Sequence, residues 1–324
     1  MTDGQGRSID YLRISITDRC NLRCVYCMPA EGVEWVPHAS ILSYEEIVRL
    51  TRLFASLGVR RIRLTGGEPL VRRGLDDLIR ELKAIPGIET VMVTTNGTLL
   101  REQLPGLMSA GLDGVNISLD TLDPVQFAAI ARRSGLSSAL AGLNAALDTP
   151  GLTVKLNCVP TLENASQWVP LAELARNRPL AVRFIELMPI GLGGGMPGIS
   201  EADLRAWPEE ALGPLAPCEG DKGGGPCRYF RPAGFRGKIG FISAMTHQFC
   251  STCNRVRLTA TGFLKTCLQY DAGVELRPLL SSGADDAELL RVMEGAILNK
   301  PLRHHFGASS QSRDERRTMN QIGG

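Results

Sequence analysis

Short apolar runs alternate with amphipathic segments through the first two thirds of the chain. Six runs rich in Val, Ile, Leu and Thr have the composition of buried parallel strands, and they cover residues 12–17, 61–65, 90–95, 114–119, 153–159 and 181–188. After the first run, the sequence predicts a helix that Ser43 caps, with Glu46 completing a capping box and Gly58 ending it. Further helices are predicted at residues 74–84, 99–110, 124–132, 136–147 and 165–176.

Six strands alternating with helices predict a parallel sheet, either an open doubly wound sheet or an incomplete barrel. Polar residues recur at the downstream ends of the strands, where a βα barrel builds its site: Thr17, Thr65, Thr95, Ser118 and Asn157. No Gly-x-Gly-x-x-Gly follows the first strand, which disfavours a dinucleotide-binding sheet. We therefore predict an α/β fold, an incomplete (βα)6 TIM-type barrel whose open side is covered by a smaller C-terminal region.

The pattern changes near residue 190, where glycine-rich stretches at 191–198 and 220–226 interrupt the βα alternation. Possible strands follow at 227–231, 238–241 and 255–258, with an apolar helix near 287–299. We predict a barrel domain at residues 1–215 and a C-terminal region at 216–324. Residues 307–324 are polar and end in Gly323-Gly324, so we expect them to be mobile unless they dock.

The charge balance gives no signature of nucleic-acid binding, since 36 basic residues meet 34 acidic ones for a net charge of +2. Six of the basic residues are Lys and the other 30 are Arg. The excess of Arg over Lys has two explanations, compositional bias or guanidinium groups that bind phosphate bidentately. No run approaches the ~18 apolar residues of a membrane span, and the polar N-terminus does not resemble a secretory signal.

Nine cysteines, an odd number without a signal peptide, indicate reduced thiols in the cytoplasm and a role in metal binding or catalysis. Cys20, Cys24 and Cys27 follow the first strand. A structural zinc site would need a fourth protein ligand, and the nearest histidine is His38, eleven residues on. A 4Fe–4S cluster held by three thiolates keeps one iron open. The spacing therefore favours an open cluster over zinc.

This first motif resembles the signature of the radical S-adenosylmethionine superfamily, with Tyr26 as the aromatic residue before the last cysteine. Gly66-Gly67-Glu68-Pro69 ends the second predicted strand and matches the superfamily's motif for the methionine amino group. Glycines permit close backbone approach, and a carboxylate or carbonyl accepts from an ammonium. The resemblance implies that the cofactor chelates the open iron and that its reductive cleavage releases a 5′-deoxyadenosyl radical.

Cys250, Cys253 and Cys267 form a second set of three. His247 precedes it by three residues, so a structural Cys3His zinc site is the alternative to a second 4Fe–4S cluster. Arg255 and Arg257 alternate along a predicted strand and share one face beside the set. Two guanidiniums there suit a polyphosphate substrate, which favours the cluster.

Together, the two cysteine sets and the Arg-x-Arg pair resemble the GTP 3′,8-cyclases, the molybdenum cofactor biosynthesis protein A family, from residue 12 to residue 324. The motifs that carry the resemblance are Thr17-Asp18-Arg19-Cys20-Asn21, Arg63-Leu64-Thr65-Gly66-Gly67-Glu68-Pro69, Thr94-Thr95-Asn96-Gly97, Asn116-Ile117-Ser118-Leu119-Asp120 and Phe249-Cys250. The resemblance implies that hydrogen is abstracted from the ribose 3′ carbon of GTP, that the resulting radical attacks C8 of guanine, and that the second cluster binds the guanine ring.

Residue roles follow from the same resemblance. It implies S-adenosylmethionine contacts at Tyr26, Gly67, Ser118 and Met188. It implies GTP contacts at Arg13, Arg63, Thr94, Lys155, Arg255, Val256 and Arg257. The implied partners are an electron donor such as flavodoxin or ferredoxin and the downstream cyclic pyranopterin monophosphate synthase, and the chain is expected to be a monomer or a homodimer.

The C-terminal Gly323-Gly324 has three interpretations: a frayed end, a carrier tail, or a catalytic tail that enters the barrel, as the resemblance implies. A carrier tail needs a β-grasp domain, which a six-strand βα pattern does not provide. Cys158 is predicted to be a core residue, and Cys218 and Cys227 incidental loop thiols. The rival functions are a peptide-modifying radical enzyme and a non-catalytic zinc protein with two binding knobs.

Overall fold

A single sheet of twelve strands organises the chain, which a computed structural model describes at residues 1–220, 225–306, 314–315 and 317–323. Its strands are β1 (Tyr11–Ser15), β2 (Arg61–Thr65), β3 (Thr90–Thr95), β4 (Gly114–Ser118), β5 (Thr153–Cys158), β6 (Ala181–Ile185), β7 (Ala216–Cys218), β8 (Arg228–Arg231), β9 (Lys238–Ile242), β10 (Arg255–Leu258), β11 (Phe263–Lys265) and β12 (Gly273–Glu275).

The helices that separate and follow these strands are α1 (Tyr44–Ser56), α2 (Leu75–Lys83), α3 (Leu100–Ser109), α4 (Pro124–Ala131), α5 (Leu136–Leu147), α6 (Trp168–Glu173), α7 (Glu201–Leu212), α8 (Arg277–Ser281), α9 (Asp286–Leu298) and α10 (Met319–Ile322). At α1 the predicted capping box is present, because Ser43 accepts from the Glu46 backbone and the Glu46 side chain accepts from Ser43. None of the helices in the described residues is long and apolar enough to cross a bilayer.

Parallel pairing runs through the middle of the sheet in the order β10-β1-β2-β3-β4-β5-β6-β9. Antiparallel strands extend both edges, β11 and β12 beyond β10, and β8 and β7 beyond β9. The outermost strands β12 and β7 stand at opposite ends of the strand order, so the sheet stays open. The predicted incomplete barrel is therefore confirmed.

The C-terminal strands extend the barrel sheet itself. β10 pairs with β1 in a register that places Arg257 opposite Arg13, and β9 pairs with β6. Both ends of the barrel sheet are thus completed by chain from beyond residue 215. The division at residues 215 and 216 stays a prediction.

One predicted helix is shorter than expected. Residues 165–176 contain α6 only at Trp168–Glu173, after a 3-10 turn at Leu162–Gln167. Asn164 departs from helical geometry with φ −107°. Its side-chain oxygen accepts from the Thr161 backbone over 2.8 Å and from the Trp168 indole over 2.8 Å. Because a short polar side chain that bonds nearby groups competes with the helix, the regular helix begins later.

Candidate active site

A cavity of about 440 Å³ opens at the carboxyl ends of the parallel strands. Both cysteine sets line it: Cys20, Cys24, Cys27, Cys250, Cys253 and Cys267. All but one of the residues for which the sequence predicted ligand contacts also line this cavity. They are Tyr26, Gly67, Ser118, Met188, Arg13, Arg63, Thr94, Lys155, Arg255 and Arg257. The fold thus brings residues as far apart in sequence as Arg13 and Cys267 to one cavity.

Val256 is the exception. Its side chain is fully buried in the apolar core, because successive residues of β10 point to opposite faces of the sheet. Any contact that this residue makes in the cavity must come from its backbone. The predicted catalytic Gly323 lies at the barrel mouth, as described below, and Gly324 lies outside the described residues.

The loop that carries the first cysteine set rests on the C-terminal end of α4. The backbone N–H groups of Arg23 and Val25 donate to the carbonyls of Ala131 and Ile130 over 2.9 and 3.0 Å. These are last-turn carbonyls, which lack partners inside their own helix. The loop therefore has a rigid support that fixes where its thiols point.

The thiols of the first set are half-buried. Burial raises the pKa of Cys20 to about 11 and that of Cys27 to about 12, and it also raises that of Cys24. Backbone N–H groups donate to two of the sulfurs, from Leu22 to Cys20 over 3.4 Å and from Asn320 to Cys27. Such N–H to sulfur bonds accompany thiolates that hold iron–sulfur clusters. The three side chains fit the predicted open cluster.

Gly66 and Gly67 approach the chain closely, as predicted, but the surface they approach is the start of the cysteine loop. A Cβ on Gly66 would lie 2.3 Å from the Thr17 carbonyl oxygen, and one on Gly67 would lie 2.2 Å from that of Arg19. The Gly67 and Glu68 backbone N–H groups donate to these same two carbonyls over 2.8 Å. A side chain at either glycine would break these two hydrogen bonds. The glycine motif therefore holds the end of β2 against the loop that carries the first cysteine set.

Glu68 is buried and accepts from Thr95 Oγ1 over 2.8 Å, from the Asn96 backbone over 2.7 Å and from the Leu70 backbone over 3.0 Å. Burial raises the pKa of this carboxyl to about 7, although the three donors favour its charged form. The side chain thereby ties the end of β3 to the glycine motif.

Tyr26 and Asp120 connect the cysteine loop to the end of β4. The Tyr26 hydroxyl donates to Asp120 Oδ2 over 2.6 Å, and the Val159 backbone donates to Asp120 Oδ1 over 2.8 Å. Burial raises the pKa of Asp120 to about 6 against the effect of these two donors. The Tyr26 ring is held in place from β4 as well as from its own loop.

The second cysteine set has a different electrostatic environment. Burial raises the pKa of Cys253, but the Lys300 ammonium and the Arg255 guanidinium outweigh it and lower that pKa to about 7. The His304 backbone donates to Cys250 Sγ over 3.5 Å. These sulfurs thus face positive charge and N–H donors, which suits thiolates that bind metal. His247, the predicted alternative zinc ligand, has its Nδ1 3.1 Å from Glu201 Oε2.

The cavity that both sets line has a strongly cationic wall. Burial lowers the pKa of Arg257 to about 10, and burial together with Arg257 and Arg63 lowers that of Arg13 well below its usual value. Arg63 is 4% exposed and donates from Nε to the Tyr11 hydroxyl. Cations that are buried side by side destabilise one another unless an anion joins them. The wall is therefore built for a polyanion.

Several buried polar atoms on this wall have no hydrogen-bond partner within the described residues. They are Arg63 Nη1, Thr65 Oγ1, Thr94 Oγ1 and Asn116 Oδ1. An unsatisfied buried donor or acceptor costs about 1–3 kcal/mol. They lie in one cavity, where a bound ligand would satisfy them.

Sequence reasoning missed Arg183, which lies on β6 and lines the same wall. Its Nε donates to Asn157 Oδ1 over 2.9 Å. The signal was available, because Arg183 stands between two apolar neighbours in its strand, as Arg63 and Lys155 do in theirs. Asn116, Lys300 and Asn320 also line the cavity and were not predicted as contacts.

The C-terminal tail docks against the barrel mouth. The Asn320 side chain donates to the Asp18 carbonyl over 3.1 Å, and Arg257 Nη1 donates to the Gly323 carbonyl over 2.6 Å. A Cβ on Gly323 would lie 2.9 Å from Thr65 Oγ1. The described part of the tail thus reaches both the first cluster loop and the cationic wall.

The remaining cysteines differ from one another. Cys158 is fully buried on β5, which confirms its predicted place in the core. Cys218 ends β7, whereas it was expected in a loop. Cys227 lies outside the strands, just before β8, as expected of a loop thiol, and it lines the same cavity as both cysteine sets.

Comparison with known proteins agrees with this geometry. The family model of the Radical SAM superfamily matches residues 14–175, and that of Molybdenum Cofactor Synthesis C matches residues 180–306. The chain is 46% identical over 328 residues to a GTP 3′,8-cyclase of Pelotomaculum thermopropionicum, covering all of both chains. It is 42% identical to human molybdenum cofactor biosynthesis protein 1, covering 98% of this chain and 50% of that protein.

Among solved structures, Streptococcus suis SuiB bound to S-adenosylmethionine superposes with a TM-score of 0.55. The match covers 90% of this chain and 66% of that one at 16% sequence identity, which shows a shared fold. The full-length relatives and the two family models go further: the chain belongs to the GTP 3′,8-cyclase family of radical S-adenosylmethionine enzymes.

Proposed function

We propose that this protein converts GTP to (8S)-3′,8-cyclo-7,8-dihydroguanosine 5′-triphosphate, the first step of molybdenum cofactor biosynthesis, as a radical S-adenosylmethionine lyase. One observation carries the proposal: buried guanidinium groups and two sets of three thiols line a single cavity. A polyphosphate would compensate the wall, and a cluster held by three thiolates would keep one iron open.

The two sets of thiols would each hold a 4Fe–4S cluster, Cys20, Cys24 and Cys27 the first, and Cys250, Cys253 and Cys267 the second. When bound, the first cluster and S-adenosylmethionine together supply the radical that removes hydrogen from the ribose. The surroundings favour this assignment, because both sets receive N–H donors at sulfur and all six cysteines are half-buried.

Tyr26, Gly67, Ser118 and Met188 would hold S-adenosylmethionine beside the first set. Gly67 has no side chain and keeps the backbone near the cluster loop, and Tyr26 is fixed by Asp120. Ser118 adds a hydroxyl at the end of β4, and Met188 adds an apolar contact beyond β6. These residue types suit a ligand that combines an amino acid, a ribose and a purine.

Arg13, Arg63, Lys155, Arg255 and Arg257 would bind the triphosphate, with Thr94 donating a hydroxyl and Val256 contributing its backbone alone. Charge-assisted bonds to phosphate are about twice as strong as neutral ones. They would hold the ribose of GTP between the two cysteine sets, where the geometry of approach decides the rate of a radical step.

Gly323 and Gly324 would serve the radical step as a catalytic tail. Gly323 is already bound to Arg257, and two residues without side chains can enter a crowded chamber. The anchor of the tail on the cationic wall favours this role over that of a frayed end.

We further propose an electron donor such as flavodoxin or ferredoxin, a cyclic pyranopterin monophosphate synthase as the next enzyme, and a cytoplasmic monomer or homodimer. The odd number of reduced thiols supports the location. We also propose that the chain consists of a barrel domain at residues 1–215 and a C-terminal region at residues 216–324.

Metal analysis with an anaerobic assay tests the proposal. Anaerobically purified protein should be brown and contain about eight irons per chain. With a reductant, S-adenosylmethionine and GTP, it should form 5′-deoxyadenosine and a cyclised nucleotide. A colourless zinc protein would contradict the proposal, and so would an iron protein that leaves GTP unchanged.

A further inference from the structure

An N-terminal turn clamps the segment that passes behind the second cysteine set. Arg7 donates from Nη1 to the carbonyls of Cys250 and Leu302 over 3.0 and 3.1 Å, and from Nη2 to those of Pro301 and Lys300 over 2.8 and 3.3 Å. Its Nε lies 2.6 Å from Asp3 Oδ2, and both side chains are buried. This buried ion pair fixes the backbone at Lys300 relative to Cys250.

The side chain of Lys300 extends from this backbone toward the second cysteine set. It is 4% exposed, and its ammonium donates to the carbonyl of Arg255 over 2.9 Å and to that of Thr266. Arg255 follows Cys253 by two residues, and Thr266 directly precedes Cys267. The ammonium therefore ties together the two backbone segments that carry these cysteines.

The charge of Lys300 has no carboxylate partner among the ion pairs of the described residues. Two of its hydrogen-bond acceptors are neutral carbonyls, and a third is the side chain of Cys253. A buried ammonium is costly unless an opposite charge compensates it. The cysteines whose backbone it ties, Cys253 and Cys267, line the cavity beside it, and their thiolates on a cluster would supply that negative charge.

We propose that Lys300 is a positioning residue of the second cluster: it sets the spacing of Cys253 and Cys267 and raises the cluster's reduction potential with a fixed positive charge. The inference rests on the proposed function, since it requires a cluster at the second cysteine set. A nearby cation favours the form that carries one more electron, so its removal shifts the potential to a more negative value.

Three substitutions separate the two effects. Lys300→Arg keeps the charge, Lys300→Gln keeps hydrogen-bond donors without the charge, and Lys300→Met removes both. Each holoenzyme is purified anaerobically, its iron is counted, and its clusters are titrated with reductant under electron paramagnetic resonance. The signal that responds to GTP belongs to the second cluster, and the signal that responds to S-adenosylmethionine serves as the internal reference.

We expect the GTP-responsive signal to move to a more negative potential in Lys300→Gln and Lys300→Met and to stay near the wild-type value in Lys300→Arg. The reference signal should not move in any variant. Selective loss of the second cluster in Lys300→Met, with about four irons retained, would also support the positioning role.

Two results would overturn the inference. One is a full iron content with unchanged potentials in both neutral variants. The other is equal loss of both clusters in these variants, because Lys300 would then serve the fold as a whole. Wild-type protein without a second cluster would instead refute the proposed function, so the two failures are distinguishable.

Discussion

Arg257 Nη1 donates to the carbonyl oxygen of Gly323 over 2.6 Å. Arg257 belongs to the cationic wall, and Gly323 belongs to the C-terminal tail. One guanidinium therefore contacts both the predicted triphosphate site and the predicted catalytic tail. Substitution of Arg257 should therefore affect both the binding of GTP and the placement of the tail.

Substitution of Arg257 should weaken the binding of GTP much more than that of guanosine. A charge-assisted bond to phosphate contributes ~1.5–3 kcal/mol, so Arg257→Met should lower the affinity for GTP roughly tenfold to a hundredfold. Calorimetry with both ligands measures the difference. Equal losses for GTP and guanosine would show that Arg257 only supports the fold.

The same variant should not lose stability in the absence of GTP. Burial and Arg255 lower the pKa of Arg257 to about 10, below its unfolded value, so at neutral pH the charged side chain disfavours the folded state. Its neutral replacement removes this penalty. The thermal midpoint of the ligand-free Arg257→Met protein should therefore stay the same or rise, and a large fall would contradict the account of the wall.

A methyl group at Gly323 should displace the tail. Gly323 has φ +73°, and its Cβ would lie 2.9 Å from Thr65 Oγ1 and 3.1 Å from the Ser15 Cβ. Gly283 is a matched control, since it has φ +78° and no atom within 4 Å of an added Cβ. Gly323→Ala should sharply reduce cyclisation while both clusters remain, whereas Gly283→Ala should leave cyclisation near the wild-type rate.

Deletion of Gly323 and Gly324 together extends this test. It should leave GTP affinity nearly intact and reduce the cyclised nucleotide, with 5′-deoxyadenosine measured separately. Full product yield from the truncated chain would show that the tail has no catalytic role.

Glu315 should anchor the tail. Its carboxylate pairs with Lys265, the two side chains are 1% and 0% exposed, and Arg317 Nε adds a contact of 2.9 Å. Loss of one partner of a buried pair costs about 3–5 kcal/mol. Glu315→Gln should therefore release the tail and speed tryptic cleavage after Arg317. Glu294→Gln, on the exposed face of α9, is the control, and equal cleavage of both variants would refute the anchor.

Loss of one cysteine ligand should remove one cluster and spare the other, because the two sets are built on separate loops. Cys24→Ala should retain about four irons and lose cleavage of S-adenosylmethionine. Cys253→Ala is its counterpart, in which uncoupled cleavage persists and cyclisation stops. Cofactor cleavage by Cys24→Ala, or normal product from Cys253→Ala, would contradict the assignment of the clusters.

The strands of the barrel could be predicted because buried parallel strands are continuous apolar runs. Residues 61–65 and 90–95 match β2 and β3 at both ends. The pairing of β10 with β1 could not be predicted, since it joins residues about 240 positions apart and no local pattern specifies a strand's neighbour. The cysteine spacing did indicate the chemistry, because a loop of eight residues already limits where three thiols can point.

The contacts that support the site could not be predicted from the sequence. The Lys265–Glu315 pair and the Arg7 clamp depend on burial, and isolated charged residues in a sequence give no sign of it. The glycine motif was recognised, but its physical basis, the approach to the Thr17 and Arg19 carbonyls, required coordinates.

The most direct test of the central claim follows one hydrogen atom. GTP carrying deuterium at the ribose 3′ carbon is incubated anaerobically with the reduced protein and S-adenosylmethionine, and both products are analysed by mass spectrometry. Our account predicts 5′-deoxyadenosine that contains one deuterium and a cyclised nucleotide that has lost it from C3′. Deoxyadenosine without deuterium, formed alongside unchanged GTP, would contradict it.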